Sequence, residues 1–397
     1  MRGAGEVLRR GAARVLVGRR SDNTDSEKSQ VRLGRDEGHN WRRAAAGSER
    51  RWRIHLRGGG WAATAAQAAA RRNSEMGSTS LAYHTPFFNG TRDADWGLLS
   101  NATDNPFGDY HAIFVVYCDG SSFASSVDAP LPTAAGAVLL RGLDNLLAVL
   151  AELEAAGGLL SNATHVVLTG TSAGGMAVYL HADRVRALLP AGVDFLGVPD
   201  AGYFMDAPDV TGARSWRATL QGAFALWNAS AGGGAHPGCA AATPPGDAWR
   251  CLAPQYAYAA STSRFFLVQS QVDTAQLAIV FKLPCDLAAG GCSPAQAAAA
   301  AGYARALGDN VSAARAAFGA RDGAFLTSCT QHEQSCTNYD FGGGGERGIT
   351  IGGQSALGTL AQWWARAGAP GDWVRRAAPY PARDASCAPA GARHGGC

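Results

Sequence analysis

Gly170-Thr171-Ser172-Ala173-Gly174 is the segment of this chain best suited to covalent chemistry. A serine between glycines fits a nucleophile held on a sharp turn, because glycine tolerates the strained backbone and close approach that such a turn needs. The pattern alone is common. Its setting carries the reading: the apolar run His165–Thr169 leads into it, and a helix-compatible stretch from about Gly174 to Leu189, stopped by Pro190, leads out. Gly175 extends the small-residue run and lets that helix pack close. A serine hydroxyl is almost fully protonated at neutral pH, so it needs a base. Where a strand-turn-helix carries the nucleophile, an acid and then a histidine follow it in the chain.

Four histidines follow Ser172: His181, His236, His332 and His394. His181 falls on the helix leaving the turn, His236 in the Gly-rich loop AGGGAHPG, and His394 in the terminal tail. His332 remains, in SCTQHE after the short apolar run Ala324-Phe325-Leu326. The acid belongs at a strand end between the two, which selects Asp273, directly after the run 264–272. Asp200 and Asp206 are rivals that could instead shape the pocket. The oxyanion needs preorganised donors. The amide after the nucleophile, Ala173, is one, and Gly60 and Trp61, in a glycine turn after an early strand, are the others.

The elements that must position these groups alternate. Strands are expected over 53–56, 112–117, 165–169 and 264–269, and helices over 62–72, 133–156, 174–189 and 274–282. The continuous apolar runs suit strands buried on both faces, so the fold class is α/β with a mostly parallel sheet. The Ala-rich 295–307 is helix-compatible, Gly342–Gly345 is a loop, and the tail after about Ala377 is irregular.

Of the 397 residues, 47% are hydrophobic and 17% charged, enough apolar material for a full core. No apolar stretch is long enough to span a membrane. Residues 1–57 hold 15 of the 35 Lys and Arg but 7 of the 32 Asp and Glu, so the rest is mildly acidic and no nucleic-acid partner is expected. Cys239/Cys251, Cys285/Cys292 and Cys329/Cys336 are close enough for local disulfides. Sequons at Asn89, Asn101, Asn162, Asn228 and Asn310 point the same way, to a secreted or cell-wall protein. The first residues lack the apolar core of a signal peptide, and a misplaced gene start is the expected reason. Residues 1–51 are taken as a basic leader, 52–380 as a single catalytic domain beginning near Trp52, and 381–397 as an irregular tail.

RGGGW at 57–61, YCDGSSF at 117–123, GTSAGGMAVYLHADRVRALLP at 170–190, DAGYFMD at 200–206, Gln271-Val272-Asp273 and SCTQHE at 328–333 occur in order. Together they resemble the pectin acetylesterase/Notum family of serine carboxylesterases over about residues 52–375. The resemblance implies an α/β-hydrolase-like fold with Ser172 as nucleophile, Asp273 as acid and His332 as base, and an oxyanion hole at Gly60, Trp61 and Ala173. Two departures stand out. Ala62 occupies a usual cysteine position, so that family disulfide is absent, and the Arg-rich leader replaces a strand region before RGGGW.

The resemblance implies an acylated glycan or other ester as substrate, with O-acetyl removal from a polysaccharide such as pectin the first expectation. Cleavage of a longer fatty acyl ester from a protein is the alternative, and SCTQHE resembles the Notum form somewhat more. An inactive hydrolase-fold binding protein would need a broken triad, and all three members are present. No cofactor or metal is expected, since there is no HExxH and no His/Asp/Glu cluster at ligand spacing. A monomer is the family's default.

Overall fold

The computed structural model describes residues 41–77, 97–336, 338–342, 348–366, 373–381 and 387. Most of the expected leader and tail, Asn89 and His394 lie outside them.

Among the described residues, ten strands follow in chain order: β1 (Trp41–Arg42), β2 (Arg51–Leu56), β3 (His111–Val115), β4 (His165–Thr171), β5 (Asp194–Asp200), β6 (Phe266–Ser270), β7 (Gly323–Thr327), β8 (Thr350–Ile351), β9 (Gln354–Ser355) and β10 (Val374–Arg376). Eight form one sheet in the order β1-β3-β2-β4-β5-β6-β7-β10, and β8 and β9 form a small hairpin. Every neighbour in the large sheet is parallel except β1, which runs antiparallel to β3. The helices that bear on the site are α1 (Ala65–Arg71), α2 (Gly142–Gly157), α3 (Ala173–Leu188), α4 (Ser215–Leu226), α5 (Thr274–Ile279), α6 (Pro294–Ala316) and α7 (Ala356–Ala365).

Alternate strand residues feed two cores. Val166 and Leu168 of β4 pack with Met176 and Val178 of α3, while Val167 packs with Leu360 and Trp363 of α7. This is the doubly covered α/β-hydrolase-like sheet, in one domain, that continuous apolar strands require. From β2 the chain goes to β3 on one side and then crosses to β4 on the other. The carboxyl ends of β2 and β4 therefore meet at a topological switch, where parallel sheets open a crevice for ligands. Their register pairs Leu56 with Gly170, so the glycine turn after β2 lies beside the Ser172 turn.

Several expectations shift. The fold begins before Trp52: the Trp41 ring lies 5.8 Å from Trp52 and 5.5 Å from His111, and its Nε1 donates to His111 Nδ1 at 3.1 Å. The strand expected over 53–56 forms within β2, and all four of its side chains are buried. Buried Arg53 is matched by the carbonyls of Leu98, Ser100 and Gly108, as a buried cation requires. The helix expected over 133–156 starts only at Gly142, since 131–138 closes on itself through a Leu131–Val138 bridge. β5 was not expected: Gly197 and Pro199 interrupt its apolar pattern, yet Gly197 is required where the Phe265 ring crosses, 2.8 Å from any Cβ there.

Cys239–Cys251 and Cys285–Cys292 form as spacing suggests. Cys329 does not bond Cys336. It bonds Cys387, 58 residues away, because β10 pairs with β7 and returns the tail to the end of that strand. Cys336 is also disulfide-bonded, and Cys118 is free and buried. Asn101, Asn162 and Asn228 are exposed sequons. Asn310 is not: it lies within α6 and accepts the Tyr203 hydroxyl at 2.7 Å.

Candidate active site

Ser172 sits between β4 and α3 with φ 55° and ψ −119°, a left-handed conformation that costs a non-glycine residue energy and projects its side chain from the sheet end. The glycines around it are dictated by contact. A Cβ on Gly174 would lie 1.9 Å from the Leu56 carbonyl oxygen, and one on Gly175 would lie 2.5 Å from that of Asp200. The turn is pinned by the Ser172 N–H, which donates to the Asp200 carbonyl at 2.9 Å.

Asp273 ends the β6 segment and caps α5, its Oδ1 accepting the Gln276 N–H at 3.1 Å. Gln269 Nε2 holds Oδ2 at 2.9 Å. With both oxygens engaged and the residue buried, Asp273 presents a fixed carboxylate edge to His332, whose Nδ1 lies 2.8 Å from Oδ1. A backbone bridge between Asp273 and Gln331 sets the two segments side by side. Burial alone would lower the His332 pKa. The Asp273 charge and hydrogen bond, with smaller contributions from Glu333 and Asp200, outweigh it and raise the imidazole to about 9.

The His332 loop reaches the Ser172 turn. A Cβ on Gly58 would lie 2.8 Å from Ser172 Cβ and 3.2 Å from Glu333 Oε1, so Ser172 and the residue after His332 flank one small space. Among the described residues Ser172 Oγ has no hydrogen-bond partner, and catalytic pairs often tighten only with substrate in place.

Ala173 directly follows Ser172, Gly60 and Trp61 follow Gly58 in the chain, and none of their N–H groups donates to a described residue. The 117–123 segment fixes their loop. Tyr117 OH donates to the Gly60 carbonyl at 2.8 Å, Trp61 Nε1 donates to Ser122 Oγ at 2.7 Å, and Ala62 N–H donates to the Gly120 carbonyl at 2.8 Å. Trp61, Phe204 and Trp216 pack as a ring cluster, with Phe204 6.1 Å from the His332 ring.

None of the rival groups takes the place of Asp273 against His332. Asp206 takes a two-pronged bond from Arg217 and a hydroxyl from Tyr256. His236 is buried, accepting the Cys239 N–H at Nδ1 and meeting Ser261 Oγ at Nε2. His181 is buried in α3, and burial lowers its pKa to about 3. Asp200 is the residue that sequence reasoning undervalued. Besides the Ser172 contact, its Oδ2 accepts the N–H groups of Gln334 and Ser335 at 2.7 and 2.6 Å. Its signal was its place in the DAGYFMD motif. A cavity of about 620 Å³ is lined by Leu277, Leu283, Leu287, Gln331, His332 and Glu333 but not by Ser172.

Comparison with known proteins agrees with this architecture. The sequence matches the family described as Pectinacetylesterase over residues 31–388. It is 29% identical to pectin acetylesterase 11 of Arabidopsis thaliana over 79% of this chain and 78% of that protein. It is 28% identical to palmitoleoyl-protein carboxylesterase notum2 of Xenopus laevis over 58% of this chain and 47% of that one. The solved structure of the Wnt deacylase Notum from Drosophila superposes with a TM-score of 0.69 at 21% identity, covering 91% of this chain and 99% of that one, which supports the fold. The chain belongs to the pectinacetylesterase family, whose members are ester-bond hydrolases.

Proposed function

We propose that this chain is a serine carboxylesterase in which Ser172 is the nucleophile, His332 the base and Asp273 the acid, and that it removes O-acetyl groups from an extracellular polysaccharide such as pectin. The observation that carries the reading is the 2.8 Å His332–Asp273 contact on a loop that closes against the Ser172 turn. His332 takes the Ser172 proton at Nε2 as Oγ attacks the acyl carbon. The developing oxyanion is met by the N–H groups of Gly60, Trp61 and Ala173, which have no described partner to give up. His332 returns the proton to the departing alcohol oxygen, and water then releases the acid by the same steps in reverse.

A short acyl group is favoured by the ring cluster. Phe204 and Trp216 are buried against Trp61, so protein already fills the space beside the oxyanion loop. The disulfides and exposed sequons support a secreted or cell-wall location. The test compares p-nitrophenyl acetate with p-nitrophenyl octanoate, beside acetate release from acetylated pectin. A strong acetate preference with acetate release supports deacetylation, and an octanoate preference overturns it in favour of a fatty-ester substrate.

A further inference from the structure

We infer that Tyr117 is a positioning residue for the oxyanion: its buried hydroxyl holds the Gly60–Trp61 peptide, and so sets the direction and donor strength of the Trp61 N–H. The inference rests on the serine-esterase reading above, with Gly60, Trp61 and Ala173 as the oxyanion donors.

The glycine loop cannot hold that peptide by itself. Gly58, Gly59 and Gly60 run together, and Gly59 and Gly60 have φ of 141° and 66°. Glycine leaves a peptide free to turn over at little cost, which would put a carbonyl where a donor is needed. The pin comes from another segment. Tyr117 OH donates to the Gly60 carbonyl at 2.8 Å, and a Cβ on Gly59 would lie 3.0 Å from Tyr117 Cδ1. The Gly60 carbonyl and the Trp61 N–H belong to one planar trans peptide and point opposite ways. A bond that fixes the carbonyl therefore fixes the N–H, which no described residue takes. Accepting that bond also polarises the peptide and makes the N–H a stronger donor.

The hydroxyl is itself held. Ser122 N–H donates to Tyr117 OH at 2.8 Å, so an N–H, an O–H and a peptide form one relay. Ser122 and Phe123 have φ of 50° and 56°, a conformation that costs non-glycine residues energy and persists only where the surroundings impose it. Asp119 imposes it: it accepts the Ser121 N–H at 3.1 Å and the hydroxyls of Ser121 and Ser125, and Ser125 Oγ in turn accepts the Gly142 N–H at 2.8 Å. The strained turn aims the Ser122 N–H at Tyr117 and its Oγ at Trp61 Nε1. Burial, with the Asp119 charge, pushes the phenol well above the ordinary tyrosine value, so it keeps its proton to donate.

The experiment compares p-nitrophenyl acetate with its thiono analogue, in which sulfur replaces the carbonyl oxygen and accepts hydrogen bonds poorly. The quantity read is the oxygen-to-sulfur ratio of kcat/KM, divided by the same ratio for hydroxide in water. Being a ratio on one sample, it does not depend on how much of a variant folds. The wild type is expected to prefer oxygen. Tyr117→Phe keeps the ring and loses the hydroxyl. Its ratio and its kcat on p-nitrophenyl acetate are each expected to fall about tenfold, with KM within about twofold. Asp119→Asn loosens the Ser122 turn, leaves Tyr117 in place and is expected to lower the ratio about threefold. The inference is overturned if Tyr117→Phe keeps the wild-type ratio or changes KM alone, or, where that variant does not fold, if Asp119→Asn keeps the ratio. A wild type with no oxygen preference would sink the oxyanion reading of Gly60, Trp61 and Ala173 and the inference with it. A Ser172→Ala variant as active as wild type would instead sink the esterase reading itself.

Discussion

Asp200 ties the backbone of Ser172 to the loop of His332. Its carbonyl accepts the Ser172 N–H at 2.9 Å, and its buried carboxylate accepts two successive N–H groups just beyond the histidine. The proposed nucleophile and base are 160 positions apart, and this one residue references both to the end of β5. Asp200 touches no reacting atom, so its role is positioning.

Asp200→Ala leaves the Gln334 and Ser335 N–H groups buried without an acceptor. Unfolding should show a loss of about 2–4 kcal/mol, with kcat on p-nitrophenyl acetate falling more than KM changes. Asp200→Asn keeps a carbonyl oxygen in place and should restore most of both. Burial raises the Asp200 pKa to about 7, against the bonds from Ser335 and Gln334. A carboxyl with a raised folded pKa contributes stability in full below its unfolded value and loses it as pH rises through about 7. Asn does not titrate, so the Tm difference between Asp200→Asn and wild type should move in favour of Asn between pH 4 and pH 8.

Catalysis needs neutral His332, and its pKa is raised to about 9. The pH profile of kcat/KM should therefore climb through pH 7 and 8 and level near pH 9, rather than near the ordinary imidazole value. Asp273→Asn removes the charge that raises it, so the limb should shift to lower pH while kcat falls about 10⁴-fold. The stability contribution of the pair runs the other way. It is complete below about pH 6.5 and is lost as pH passes 9, so thermal unfolding should come earlier at alkaline pH.

Gly174→Ala would drive a methyl group into the Leu56 carbonyl, 1.9 Å from its Cβ. Neither partner is a flexible side-chain end, so backbone must move. A destabilisation of about 3 kcal/mol is expected by chemical denaturation, with activity lost from the fraction that folds. Gly60→Ala meets no atom within 4 Å, but its φ of +66° strains any other residue by about 1 kcal/mol.

The Cys329–Cys387 bond closes a 58-residue loop and Cys285–Cys292 a 7-residue one. By loop entropy their removal costs about 4 and about 2 kcal/mol. Cys387→Ser should therefore lower Tm more than Cys292→Ser. It should also lower kcat, because Cys329 precedes His332 by three residues.

The fold class and the meeting of Asp273 with His332 were legible in the sequence, and the long-range contacts of the frame were not. Glycine spacing around Ser172 reflects backbone contacts within a few residues, and the chain order of Asp273 and His332 left few alternatives. What sequence could not give is what other segments impose. The Cys329 partner depends on β10 pairing with β7. The strand character of 194–200 depends on its parallel pairing with β4, from Asp194 opposite His165 to Asp200 opposite Thr171. The start of α2 at Gly142 depends on a bridge that uses up 131–138. The Asp200 role needs three segments in one place, and no local pattern reports that.

The central claim is that Ser172 carries the acyl group, and active-site labelling tests it most directly. The wild-type protein would be treated with a fluorophosphonate, digested, and mapped by mass spectrometry. One adduct per chain is expected, on the peptide containing Ser172, with none on Ser172→Ala. An adduct on another residue, or equal labelling of the variant, would contradict the account.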